Sequence, residues 1–199
     1  WQNPIYKPDH TEGIRQTVSD FLDFKNYVFY LRVHPNMKNR LKSISQLKDI
    51  KALDEEFKNL VVIWPEEKID SYELIKVCDK VLVYGSTIGI ESVYLKKPTI
   101  LVARAFYENF SCFYTPKSHQ QVIELLKTKN LPPLESKLAL KYGYWEMMHG
   151  TDYKYFKEEG VKKNLSYGKF DGHRIKPNYI YKINFLFNIF LDKIKNLIK

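Results

Sequence analysis

The sequence predicts an α/β domain built on a doubly wound parallel sheet and followed by a helical, basic C-terminal extension. Three observations predict it. Short runs of four to seven apolar residues, unbroken rather than alternating, recur through the first two thirds of the chain and suit strands covered on both faces. Segments of helical period separate them, and alternating strands and helices imply parallel strands joined by crossovers. After about Pro132 that alternation stops and the chain turns aromatic and lysine-rich. The expected division is 1–132 for the α/β domain and 133–199 for the extension.

Each element has its own warrant. Asp9 to Phe24 reads as a helix, with Ile14, Val18, Phe21 and Leu22 at helical spacing. Tyr27 to Val33 is a β-rich run stopped by His34-Pro35, and Ser43 to Asn59 a helix carrying Leu47, Ile50, Leu53 and Phe57 along one side. Leu60 to Trp64 is a second strand, again stopped by proline. Asp70 and Glu73 form a D-x-x-E capping pair opening a helix through Cys78. Lys80 to Tyr84 reads as a strand, Thr87 to Leu95 as a helix and Thr99 to Val102 as a strand. Ser118 and Gln121 cap a helix to about Lys127, and Leu134 to Met148 reads as helical. Thr151 to Asn178 shows little periodicity, and Tyr179 to Lys199 reads as a long helix with a wide apolar face. The chain opens with loop-like residues where such a domain begins with a strand, and a missing central strand would expose a costly edge. The sequence therefore reads as starting partway into a larger protein.

The charge is lopsided. Of the net +9, residues 154–199 carry eleven Lys/Arg against four Asp/Glu, while the first 153 residues are nearly neutral. Such asymmetry points to an anionic partner, a membrane surface or a polyanion. Cys78 and Cys112 have no paired spacing and read as free thiols of a reducing compartment. No apolar run is long enough to span a bilayer, and WQNPIYKPDH is no signal peptide.

Ligands of open α/β sheets bind at the carboxyl ends of the strands, so the residues there are the candidates. They are Arg32-Val33-His34-Pro35-Asn36, Trp64-Pro65-Glu66-Glu67, and the turn Gly85-Ser86-Thr87 with Gly89 and Glu91. A helix N-terminus favours anions; Gly85 permits a tight turn, and Ser86 and Thr87 add hydroxyl donors. Glu91 could accept from a ribose diol. Equally, Ser86 or Thr87 could be a plain N-cap and Glu91 a first-turn acid; both readings stand at this point. His34 at the same sheet edge could donate to a phosphate oxygen, and Trp64 and Pro65 could wall a base. Arg32 could merely snorkel to the edge or pair with a helix acid. His10, His119, His149 and His173 give no metal-ligand spacing, so no metal is expected. The turn lacks a Walker lysine and is not G-x-G-x-x-G.

Together, RVHPN, VVIWPEEKIDSYELIKVCDKVLVYGSTIGIESVYLKKPTI and KYGYWEMMHGTDYKYF resemble the bacterial capsule polysaccharide biosynthesis family over roughly Tyr27 to Phe156. That family looks like GT-B glycosyltransferases, with a Rossmann-like C-terminal half holding the nucleotide sugar, and is related to Kdo and sialic acid transferases. The resemblance implies that His34-Pro35 and Ser86-Thr87 contact the phosphate of a CMP-sugar, and that Glu91 holds the ribose. It implies no required cofactor, a lipid-linked or polysaccharide acceptor, and a separate N-terminal acceptor domain supplying the base, so the catalytic base is unknown. A cytoplasmic protein peripheral to the inner face of the membrane fits the basic tail. Similar turns serve CDP-polyol phosphotransferases of teichoic-acid type and UDP-sugar epimerases. A basic nucleic-acid-binding module is the non-enzyme alternative, disfavoured because the charge avoids the α/β body.

Overall fold

A computed structural model of the chain describes residues 5–6, 10–35, 37, 45–149, 156–162, 165–170 and 173–175. Two compact units emerge, residues 1–147 and 148–199. The first is a mixed α/β unit. In chain order it contains α1 (His10–Ser19), β1 (Phe29–Arg32), α2 (Ser45–Glu56), β2 (Leu60–Ile63), α3 (Ser71–Val77), β3 (Val81–Val83), α4 (Ile88–Tyr94), β4 (Thr99–Leu101), α5 (His119–Lys127) and α6 (Lys137–Met148).

The strands pair in parallel, β1 with β2 from Phe29↔Leu60 to Arg32↔Ile63, and β3 with β4 from Val81↔Thr99 to Val83↔Leu101. The expected single sheet is not formed among the described residues: the two pairs are separate two-stranded sheets. Nor are all strands covered on both faces. β4 is wholly buried, whereas Tyr30 and Val61 face solvent.

Helix faces follow the apolar spacing. Leu47, Ile50, Leu53 and Phe57 are all buried and meet Val18, Val33, Leu60 and Val62. Asp70 caps α3 by accepting from the N–H groups of Tyr72 and Glu73 at 2.8 and 3.1 Å, a contribution of about 1 kcal/mol. At the other end of α3, Lys97 Nζ donates to the carbonyls of Lys76 and Cys78 at 2.7 and 2.8 Å, placing a cation where the helix leaves its acceptors unpaired. Ser118 Oγ accepts from Gln121 N at 3.3 Å, and α5 buries Val122, Ile123 and Leu126.

α1 stops at Ser19, five residues short of the expected end at Phe24. Residues 20–26 instead form successive turns, with Phe24 N bonded to Phe21 O at 3.1 Å. Asp20 and Asp23 favour turns over helix interiors, and the turns seat Phe21 at zero exposure while leaving Leu22 outside. A hydrogen-bonded chain ties this region to α5: Asp20 to His119 Nε2 at 3.0 Å, and His119 Nδ1 to the buried Tyr6 hydroxyl at 2.9 Å.

Cys112 is a buried free thiol and Cys78 a half-buried one. Burial pushes the Cys112 thiol up to about 11 from its ordinary 9.0. A group held protonated in the fold loses its stabilising contribution as pH rises. Thermal stability is therefore expected to decline as the pH is raised from 9.0 to about 11, and Cys112→Ala should flatten that decline. An unchanged slope in the variant would assign it to other groups.

The helix expected over Leu134–Met148 is present as α6, but residues 156–162, 165–170 and 173–175 of the expected helical extension form strands in the second unit. It contains β5 (Phe156–Lys162), β6 (Leu165–Phe170) and β7 (His173–Ile175), antiparallel in the order β5-β6-β7, with an irregularity between Glu158 and Gly160. The expected helix over 179–199 lies outside the described residues.

Candidate functional site

Because β1 and β2 are parallel neighbours, their carboxyl ends meet at one edge. Arg32 does not reach out from it. Its Nη1 donates to the carbonyl of Trp64 at 2.8 Å, pinning the two strand ends together, while its Nε is buried without a hydrogen-bond partner. His34 follows as an exposed side chain at the head of a tight turn closed by Met37 N to His34 O at 2.9 Å. Pro35 is exposed beside it; Asn36 lies outside the described residues.

The Trp64 turn is closed on itself. Glu67 Oε1 accepts from Trp64 N at 2.6 Å, and Glu67 N donates to Trp64 O at 3.1 Å. The backbone of Trp64 is thus engaged within the protein. Trp64 is half-buried, Pro65 buried and Glu66 exposed, so the indole and the Glu66 carboxylate are what this end presents.

β3 and β4 bring a second pair of carboxyl ends together. Gly85 has φ 91, and a Cβ on it would lie 2.6 Å from the Arg104 carbonyl oxygen. Only glycine fits both conditions. Tyr107, buried behind the turn, donates its hydroxyl to the Ser86 carbonyl. Gly89 is buried against the same hydroxyl, where a Cβ would come within 2.7 Å, so close packing accounts for that glycine. Burial raises the Tyr107 pKa far above its ordinary 10.0, which keeps the hydroxyl a donor.

Ser86 and Thr87 are exposed. Thr87 stands at the N-cap in helical conformation and makes no side-chain cap bond; Ser86 Oγ accepts from Ile88 N only at 3.5 Å. Capping therefore does not consume these hydroxyls. The N–H groups of Gly89, Ile90 and Glu91 bond back to the Ser86 and Thr87 carbonyls at 3.0 to 3.3 Å. With α4 only seven residues long, the hydroxyls rather than a helix dipole are what the turn offers. The Glu91 carboxylate, near the exposed Tyr72 hydroxyl of α3, raises the Tyr72 pKa.

Two of these neighbours, Tyr107 and Arg104, are absent from the sequence-derived candidates. Arg104, at the carboxyl end of β4, holds Glu108 through Nε and Nη2 at 2.6 to 2.7 Å and keeps that carboxyl below its ordinary range. The signal was the same one used elsewhere: A-R-A-F-Y-E-N-F follows a strand end directly. Arg104 places an exposed guanidinium on the residue whose carbonyl abuts Gly85. Among the described residues no group of His, Cys, Asp and Glu is arranged to hold a metal, and no helix is long and apolar enough to cross a membrane.

Residues 23–121 match the family model for capsule polysaccharide biosynthesis proteins. Through this segment the chain is similar to that family. The match runs from just before β1 to the first turn of α5, so it contains both strand pairs and every candidate residue at their carboxyl ends. No curated protein and no solved structure matches the chain. That similarity supports a role in capsule polysaccharide synthesis.

Proposed function

We propose that this chain is the donor-binding part of a GT-B glycosyltransferase of capsule or surface polysaccharide synthesis, with a CMP-activated sugar such as Kdo or sialic acid as donor. The observation that carries the reading is that exposed His34, Ser86 and Thr87 stand at carboxyl ends of parallel strands inside the family segment. Parallel strand ends are where α/β sheets bind nucleotides. Imidazole and hydroxyl donors suit a phosphate leaving group, whose charge grows as the glycosidic bond breaks. Arg104 adds an exposed guanidinium, paired with Glu108, on the residue whose carbonyl abuts Gly85, and Glu91 is the acceptor for a ribose diol. In this reading the phosphate charge is met by protein donors and needs no metal. The general base comes from an acceptor domain elsewhere in the protein, and the lysine-rich residues 154–199 hold the enzyme against an anionic inner-membrane surface where a lipid-linked acceptor lies.

The test is thermal stabilisation of the full-length protein by CMP, CDP, UDP and GDP, repeated on His34→Ala and Ser86→Ala. A ligand at a hundred times its Kd adds about 2.7 kcal/mol, a plain rise in midpoint. The expected result is stabilisation by CMP, lost in both variants while their unliganded midpoints hold. Preference for CDP or UDP would transfer the site to a polyol-phosphate or UDP-sugar enzyme. No shift with any nucleotide would remove the donor-site reading altogether.

A further inference from the structure

The loop after β4 carries a residue that neither burial nor turn chemistry accounts for. Along Arg104-Ala105-Phe106-Tyr107 the side chains alternate in placement: Ala105 and Tyr107 are buried, Arg104 is exposed, and Phe106 is 75% exposed. Residues 105–108 close a β-turn in which Glu108 N donates to Ala105 O at 3.1 Å. Phe106 occupies its first corner, where turns favour proline and small polar residues. An aromatic ring there adds nothing to the turn, and at this exposure it adds little hydrophobic stabilisation.

The turn is firmly held. Ala105 N donates to Glu108 Oε2 at 3.0 Å, the same carboxylate takes the Arg104 Nε at 2.6 Å, and Phe110 N donates to Tyr107 O at 3.0 Å. Two further contacts tie it to the turn after β3. The Arg104 carbonyl oxygen would stand 2.6 Å from a Cβ on Gly85, and the Tyr107 hydroxyl donates to the Ser86 carbonyl. The residues two before and one after Phe106 thus both touch Gly85-Ser86. Phe106 is thereby fixed at the rim of the turn that exposes the Ser86 and Thr87 hydroxyls.

The rim combines two chemistries. Hydroxyls and a guanidinium suit a phosphate, whereas an exposed flat ring suits a second flat ring. Bases stack on aromatic side chains through their π-faces, with little regard to which base it is. The backbone that carries Phe106 is already ordered, so less freedom is lost on binding. Trp64, the aromatic that the sequence offered as a wall for a base, ends the other strand pair and is half-buried.

We propose that Phe106 is the stacking platform for the base of the bound nucleotide, beside the Ser86 and Thr87 hydroxyls that take its phosphate. The inference rests on the donor-site reading above and is independent of which nucleotide the donor carries. It places the base at the loop after β4 instead of at Trp64 and Pro65.

Calorimetric titration of the full-length protein with CMP, UMP and ribose 5-phosphate tests it, because ribose 5-phosphate keeps the phosphate and lacks the base. Phe106→Ala is expected to weaken CMP and UMP alike by about 5- to 150-fold. It should leave ribose 5-phosphate affinity and the unliganded melting midpoint unchanged, since the ring is exposed. Phe106→Trp should restore both nucleotides. Equal weakening of ribose 5-phosphate would show that the substitution disturbs the phosphate turn, and would overturn the stacking role. CMP binding that is untouched in Phe106→Ala and lost in Trp64→Ala would return the base to the other strand pair, overturning the inference while the donor site stands. Failure of the unsubstituted protein to bind any of the three would remove the donor-site reading itself, and this inference with it.

Discussion

Tyr107→Ala is expected to cost about 3–5 kcal/mol, the range for emptying a large aromatic from a packed core. The ring is 1% exposed, stands 5.0 Å from Phe113 and 5.6 Å from Tyr142, and closes a cluster with Val83, Ile90 and Ala139. Its removal therefore unseats α6 and the β3–α4 turn together. Tyr107→Phe separates packing from the hydrogen bond. It keeps the ring, leaves the Ser86 carbonyl only the Gly89 N–H as donor, and should cost about 1 kcal/mol. For a chain of this size 1 kcal/mol moves the midpoint by about 2–4 °C, so the two variants are distinguishable in one thermal series. A loss below about 1 kcal/mol for the alanine variant would mean that the cluster does not hold the turn. The phenylalanine variant carries the functional reading further: nucleotide affinity should fall although the fold survives, because Tyr107 fixes the turn that presents Ser86.

Local chemistry explains what was legible in the sequence. Leu47, Ile50, Leu53 and Phe57 recur at helical period with no competing turn residues, and all four are buried. Asp70 and Ser118 cap as their spacing implies, because a cap is decided within four residues. The strand ends were legible for a related reason: proline stops β1 and β2 two or three residues beyond their last pairing.

Elsewhere nonlocal packing overrode the pattern. Leu22 continued the helical spacing of α1, but burying Phe21 required a turn that leaves Leu22 52% exposed. β5 to β7 were missed because their residues alternate weakly; strand identity there rests on pairing between segments. The loop after β4 was missed for a different reason. Nothing in A-R-A-F-Y announces that Tyr107 will fold back onto Ser86, since their contact spans 21 residues. The candidate site thus divides in two: its exposed donors could be picked out along the chain, and the scaffold that holds them could not.

Gly85 is where scaffold and site meet, and Gly85→Ala is expected to damage both. A side chain forced into a sparsely populated backbone region costs about 1–3 kcal/mol, and φ 91 is such a region. The added Cβ would also stand 2.6 Å from a backbone oxygen, that of Arg104, which cannot swing aside as a flexible side chain would. Relief requires the β3–α4 turn and the loop after β4 to move apart, and that movement strains the Tyr107 bond to Ser86. The loss should therefore exceed the φ cost alone and be coupled to Tyr107: in a double-mutant cycle, Gly85→Ala with Tyr107→Phe should cost less than the sum of the two. Arg104→Ala offers the contrast. It deletes the guanidinium but leaves the carbonyl in place, so it should weaken phosphate binding without rescuing the stability of Gly85→Ala. A Gly85→Ala protein that melts with the unsubstituted one would mean that the turn and the loop have room to separate, and the donors at Ser86 and Thr87 would then lack a fixed position from which to hold a phosphate.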